Sequence, residues 1–257
     1  MIELKNIMGG VEYFNKPIKA EAIDKTPFYK NVLNLVYGLS KSGKSYTTAE
    51  LLLKSSIDNK DVIWLDKDYN VNESMLNMFS NFNHVNENID LVTEALLEHG
   101  GDGEILVFDS LKDFAGNNDL DTNVGAQTAM ENIRKYITAG FTVILIAHAT
   151  KFENGFKIKG NEETIKSKSD VVIKLTSIDG QKIIETTDTR IMNGYREKMI
   201  ITTDSYLKDK VDGILEVKGA ITWTELRQAF PSSLRAELQS VKDIILVFEN
   251  GKVIGTL

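Results

Sequence analysis

Residues Gly38-Leu39-Ser40-Lys41-Ser42-Gly43-Lys44-Ser45 fit the pattern G-x-x-x-x-G-K-[ST]. Each residue type answers a need of polyphosphate chemistry. Gly38 and Gly43 permit backbone angles that turn successive N–H groups inward, and the start of a following helix adds partial positive charge. Lys44 has the reach to bridge β- and γ-phosphates, and the Ser45 hydroxyl suits Mg²⁺. Ser40, Lys41, Ser42 and Tyr46 complete the candidate nucleotide-binding set.

Three further positions fit that chemistry. Ile105-Leu106-Val107-Phe108-Asp109-Ser110 is an apolar run closed by a carboxylate, and Asp109 is placed to hold the metal. The residue after it is Ser110, which separates the chain from AAA+-type enzymes with Asp-Glu there, so a water-activating carboxylate must come from elsewhere. Val62-Ile63-Trp64-Leu65-Asp66-Lys67-Asp68 offers two candidates, Asp66 and Asp68. Val143-Ile144-Leu145-Ile146-Ala147-His148 ends a fully apolar run on His148, a position from which a polar side chain senses the γ-phosphate and passes hydrolysis to the next segment. His84 and His99 have no such context and are read as surface residues.

These residues need strands that end at one edge. Short apolar runs at Val32–Tyr37, Val62–Leu65, Ile105–Phe108, Val143–Ala147 and Val171–Leu175 alternate with helical patterns at Lys44–Ser56, Met75–Phe79, Asp90–Glu98 and Ala126–Ala139. That alternation predicts an α/β fold with a mostly parallel sheet flanked by helices. The 257 residues, with a net charge of −7, suit one core plus a small appendage. The lack of Cys excludes disulfides, thiolate metal sites and thiol nucleophiles. Met1 to Lys30 shows no apolar leader, and the run Phe141–Ala147 is far below the roughly 20 residues of a membrane span, so a cytoplasmic protein without membrane partners is expected.

Two polar segments, 112–127 and 151–169, read as long loops, which in a compact domain are functional or disordered. A hairpin is expected around Ser177–Lys198. Beyond Leu207 a helix at Trp223–Phe230, a second near Ser233–Val241, and a hairpin of Ile244–Phe248 with Val253–Leu257 across Asn250-Gly251 read as a separate α+β module. The expected division is an N-terminal segment 1–30, a core 31–206 and a winged-helix-like module 214–257.

Together the 38–45 loop, the carboxylates at 66–68, Asp109-Ser110 and His148 resemble the RecA superfamily of P-loop ATPases. His148-Ala149-Thr150-Lys151, Gly160 and Ser169–Leu175 are most similar to RadA-like and short phage-encoded RecA-like proteins. The resemblance covers roughly residues 31 to 200 and implies a RecA-like core, ATP and Mg²⁺ as ligands, a catalytic carboxylate at Asp68, and ring or filament self-assembly. It also implies a cation acting on a neighbouring subunit's nucleotide, with Arg190, Arg196 and Lys198 as candidates. The family binds single-stranded DNA through the segments after the Asp109 and His148 strands. The second of these carries Lys151, Phe152, Phe156, Lys157, Lys159, Lys166 and Lys168, a set suited to phosphate attraction and base stacking. The first is acidic, with Asp113, Asp119 and Asp121 against Lys112. A DNA-stimulated ATPase of recombination, repair or replication is the leading expectation. A replicative ring helicase is the alternative, and a small-molecule kinase is a third reading disfavoured by the absence of Arg from 151–169. The C-terminal module is expected to dock a single-strand-binding or replication protein, or another subunit.

Overall fold

The computed structural model describes residues 20–67, 78–152, 155–178, 181–191, 198–201, 204–230, 235, 238–239 and 246–256. The chain divides into two compact units, Met1–Leu175 with Glu185–Glu197 and Thr176–Ile184 with Lys198–Leu257.

Strands β1 (Leu33–Leu39), β2 (Val62–Asp66), β3 (Asn83–Val85), β4 (Ile105–Asp109), β5 (Thr142–Phe152), β7 (Val171–Ile178) and β8 (Gln181–Thr189) lie in the order β3-β2-β4-β5-β1-β7-β8, and the first unit holds all of them except β7 past Leu175 and β8 before Glu185. The ladders from β3 to β7 are parallel. The short β6 (Gly155–Ile158) runs antiparallel to the outer part of β5. Helices α1 (Lys44–Lys54), α2 (Ile89–His99), α3 (Leu111–Phe114), α4 (Asn123–Thr138) and α5 (Glu162–Ser167) supply the connections. This is the fold class expected from the alternating pattern, a mostly parallel sheet with helices around it and a small C-terminal sheet module.

Strand alternation decides what each face carries. Leu33, Leu35 and Tyr37 of β1, Leu106 and Phe108 of β4, and Val143, Leu145 and Ala147 of β5 form one cluster with Ala126, Met130, Ile133 and Tyr136 of α4. The i, i+4, i+7 spacing of those α4 residues is the helical counterpart of that face. The out-of-phase residues, including Trp64, Asp66, Val107, Asp109, Ile144, Ile146 and His148, belong to the other face. Polar groups hold the non-site ends of the strands. Asn34 exchanges hydrogen bonds with the backbone of Tyr29 at 2.9 Å each, and Asp170 accepts from Leu33 N at 2.9 Å and from Arg134 Nη1 at 3.0 Å.

The two expected loops are mostly regular structure. Residues 112–127 begin inside α3, whose start is a capping box between Ser110 and Asp113, and run into α4, capped by the Thr122 hydroxyl accepting from Gly125 N at 3.0 Å. Residues 151–169 hold the end of β5, strand β6 and helix α5, with Asn161 Oδ1 accepting from Thr164 N at 3.1 Å as its cap. Ladder and cap bonds satisfy the backbone of a polar sequence that shows little apolar periodicity. The two segments are also tied together, by Asn161 N donating to Leu120 O at 2.6 Å and by the Thr164 hydroxyl donating to Asn123.

In the second unit, helix α6 (Asp204–Lys218) was not foreseen from the sequence. It places Leu207 and Val211 in a core with Ile221, Leu226 and Phe230, beside helix α7 (Trp223–Ala229). Strands β10 (Ile221–Thr222), β12 (Lys252–Thr256) and β11 (Leu246–Glu249) pair antiparallel in that order, with the last two turning at Asn250-Gly251, and β9 (Lys198–Ile201) belongs to the same unit. The expected helix at 233–241 lies mostly outside the described residues, as do residues 75–77 of the expected helix 75–79.

Candidate nucleotide site

Parallel strands bring their carboxyl ends to one edge, and an open α/β sheet binds ligands there. The register states which residues meet. Gly38 at the end of β1 is paired with His148 of β5, Asp109 of β4 with Ile146, and Asp66 of β2 with Asp109. Adjacent strands lie about 4.8 Å apart, so Asp109 sits roughly 10 Å across the sheet from the β1 column. The even spacing of Ile146 and His148 puts His148 on the face shared by Asp66 and Asp109.

The loop from Gly38 to Lys44 has the conformation its sequence demands. Gly43 has φ of 82°, a left-handed value natural to glycine, and it precedes the first helical residue, Lys44. Lys41 also has a positive φ, 61°. Gly38 is required for a different reason: a Cβ there would lie 2.5 Å from the backbone oxygen of Leu175. Ser42 Oγ is sealed from solvent and has no hydrogen-bond partner among the described residues. A buried hydroxyl without a partner is costly, and a phosphate oxygen would supply the missing one. Lys44 is buried, and its Nζ donates to Leu39 O at 3.1 Å. Burial pushes its ammonium below the ordinary lysine pKa, and the charge of Asp109 pulls it partway back. Ser45 follows at the first turn of α1, and Ser40, Lys41 and Tyr46 flank the loop. The Asp109–Ser110 peptide is cis.

The β2 exit is more elaborate than the sequence suggests. Asp66 is buried, and its Oδ2 lies 3.5 Å from His84 Nε2. His84 is no surface residue. It stands in β3, half-buried, with its ring stacked on Phe79 at 5.1 Å. A three-residue edge strand leaves almost no periodic signal, so the sequence concealed this placement. Lys67 closes the corner, its N donating to Asp109 O at 3.2 Å, its Nζ 2.8 Å from Asp90 and 4.8 Å above the Phe114 ring. Asp68 and Arg196 lie outside the described residues, and Lys198 is described only as part of β9. Arg190 is exposed, and its N donates to Asp170 O at 2.8 Å at the opposite end of the sheet's first unit.

Beyond His148, β5 continues without a break into the β5–β6 hairpin. The hairpin divides the seven candidate DNA contacts into two groups. Lys151, Lys157 and Lys159 are exposed, as is Phe152 at 52%, with Lys157 Nζ 4.8 Å above the Phe152 ring. Phe156 instead packs edge-on against Tyr37 at 6.0 Å and carries Lys174 Nζ at 4.7 Å. Lys166 bonds to Glu162 and sits over the Tyr37 ring at 5.1 Å, while Lys168 lies 3.2 Å from Glu131. His148 and Lys159 line one cavity of about 310 Å³ together with Leu111, Leu120, Asp119 and Asp121 among others.

No protein-family model matches this sequence, and no curated protein matches it. Among solved structures, the crystal structure of the RadB recombinase is similar with a TM-score of 0.49 at 15% identity, over 70% of this chain and 90% of that chain. At that score and identity the likeness carries no residue assignment.

Proposed function

We propose that this protein is an ATP-dependent, single-stranded-DNA-binding ATPase of the RecA/RadA type, acting in recombination, repair or replication of DNA. The observation that carries this reading is the shared edge: the Gly38–Ser45 loop, Asp109, Asp66 and His148 end on one side of the sheet, and β5 leads from His148 straight into an exposed basic hairpin.

The loop amides, the helix α1 N-terminus and Lys44 bind and orient the triphosphate. Ser45 and Asp109 are the residues that would hold Mg²⁺, an ion that neutralises charge on the β- and γ-phosphates when bound. Asp66 and Asp68 are the candidates for orienting the attacking water. His148 reports the state of the γ-phosphate to the hairpin. Lys151, Lys157 and Lys159 attract the DNA backbone, and Phe152 offers a face for base stacking. Arg190, Arg196 and Lys198 are the candidate cations for a neighbouring subunit's nucleotide, and the C-terminal module 214–257 is the candidate docking module.

ATP turnover with and without single-stranded DNA, read beside mass by light scattering, tests the reading. DNA-stimulated turnover in an oligomer supports it, and turnover indifferent to DNA would overturn it in favour of a small-molecule kinase.

A further inference from the structure

We propose that His84 is a positioning residue for hydrolysis, holding the Asp66 carboxylate at the β2 end beside the metal-side Asp109; this rests on the ATPase reading above. Asp66 is 4% exposed, at adjacent strand-end register to Asp109. Two neighbouring carboxylates repel, and a buried carboxylate is expensive without compensating charge or donors. Each carboxylate has a positively polarisable neighbour on a different side. Asp109 interacts with the Lys44 charge on the side of the phosphate loop. Asp66 faces the His84 imidazole on the opposite side, at 3.5 Å between Oδ2 and Nε2.

The imidazole is built into place. Register pairs His84 with Trp64, two residues before Asp66 on the same face, so the ring reaches Asp66 diagonally. Phe79 stacks on it at 5.1 Å and 25°, and Phe79 and Phe82 both pack on Trp64, at 4.6 and 6.0 Å. His84 Nε2 is sealed from solvent and has no hydrogen-bond partner among the described residues, and the carboxylate oxygen 3.5 Å from it is Asp66 Oδ2. An aromatic wall behind the ring fixes its direction, which is what a group that aims a carboxylate requires.

Steady-state ATP hydrolysis by the full chain tests this with three variants. His84→Phe keeps a ring against Phe79 and removes the nitrogens; kcat should fall about tenfold or more while KM for ATP stays within about twofold, since misdirecting a reacting group costs the transition state more than binding. His84→Gln, which restores a donor, should recover most of that loss. His84→Phe in an Asp66→Asn background should cost nothing further, because both changes break one interaction. Thermal unfolding midpoints close to wild type would exclude a purely structural loss. Wild-type kcat in His84→Phe, or losses that multiply in the double variant, would overturn the role while leaving the ATPase reading intact. A wild-type protein without turnover would overturn both.

Discussion

Gly38 and His148 stand as paired α-carbons across the β1–β5 ladder, so the first residue of the phosphate loop is one strand from the residue that opens the hairpin. Any shift of β5 at His148 is therefore felt at the loop, and the Phe156–Tyr37 contact adds a second link one residue before Gly38. Under the proposed function, a nucleotide at the loop and a ligand at the hairpin would affect each other's binding by the same factor.

Lys44→Ala should abolish ATP binding and turnover, measured by equilibrium binding of a fluorescent ATP analogue and by phosphate release. Retained turnover would remove the phosphate-loop assignment altogether.

The buried Lys44 also has a pH signature. Its folded pKa lies below the ordinary lysine value of 10.5, so at neutral pH its charged form destabilises the folded protein. That penalty is fully present below the folded pKa and is relieved as pH rises from there toward 10.5. Lys44→Met should raise the unfolding midpoint at neutral pH, and the gain over wild type should shrink as pH is raised through that window. An equal gain at every pH would contradict the burial argument.

Gly38→Ala should destabilise by about 1–3 kcal/mol, an overpacking cost, because the new methyl would lie 2.5 Å from Leu175 O and β1 or β7 must move. Urea denaturation measures this. A neutral substitution would mean that β1 and β7 part easily at the loop.

Asp170→Ala strands the Leu33 N–H, buried at the start of β1, and leaves Arg134 Nη1 with only its bond to Lys168 O among the described residues. The expected loss is about 1–3 kcal/mol for the orphaned donor, with Asp170→Asn losing less because it keeps an acceptor. Equal losses in the two variants would assign the effect to charge instead of to the Leu33 bond.

The hairpin lysines should separate by engagement. Lys151→Ala with Lys157→Ala should weaken single-strand affinity and reduce the slope of log affinity on log salt by roughly 0.7 for each phosphate that is no longer neutralised. Lys166→Ala and Lys168→Ala should change the slope less, because those cations already face Glu162 and Glu131. Fluorescence anisotropy across a salt series measures both, and a larger effect at Lys166 or Lys168 would move the DNA path off the hairpin.

The step from strand through the Gly38–Gly43 loop to helix was legible in the sequence because it is local: spacing, glycine freedom and the change of period all fall within Val32 to Lys54. The alternation of apolar runs likewise determined a parallel α/β sheet, since period and run length are properties of short windows. Tertiary structure alone decided the register that sets Asp66 beside Asp109 and Gly38 beside His148, because pairing between distant strands leaves no mark on either strand alone. It also decided that 151–169 is a hairpin and helix, where ladder bonds and the ties to Leu120 and Asn123 replace apolar periodicity. His84 shows the limit most plainly: a polar residue in a three-residue strand reads as surface, and only the aromatic wall of Phe79 and the buried Asp66 give it a place.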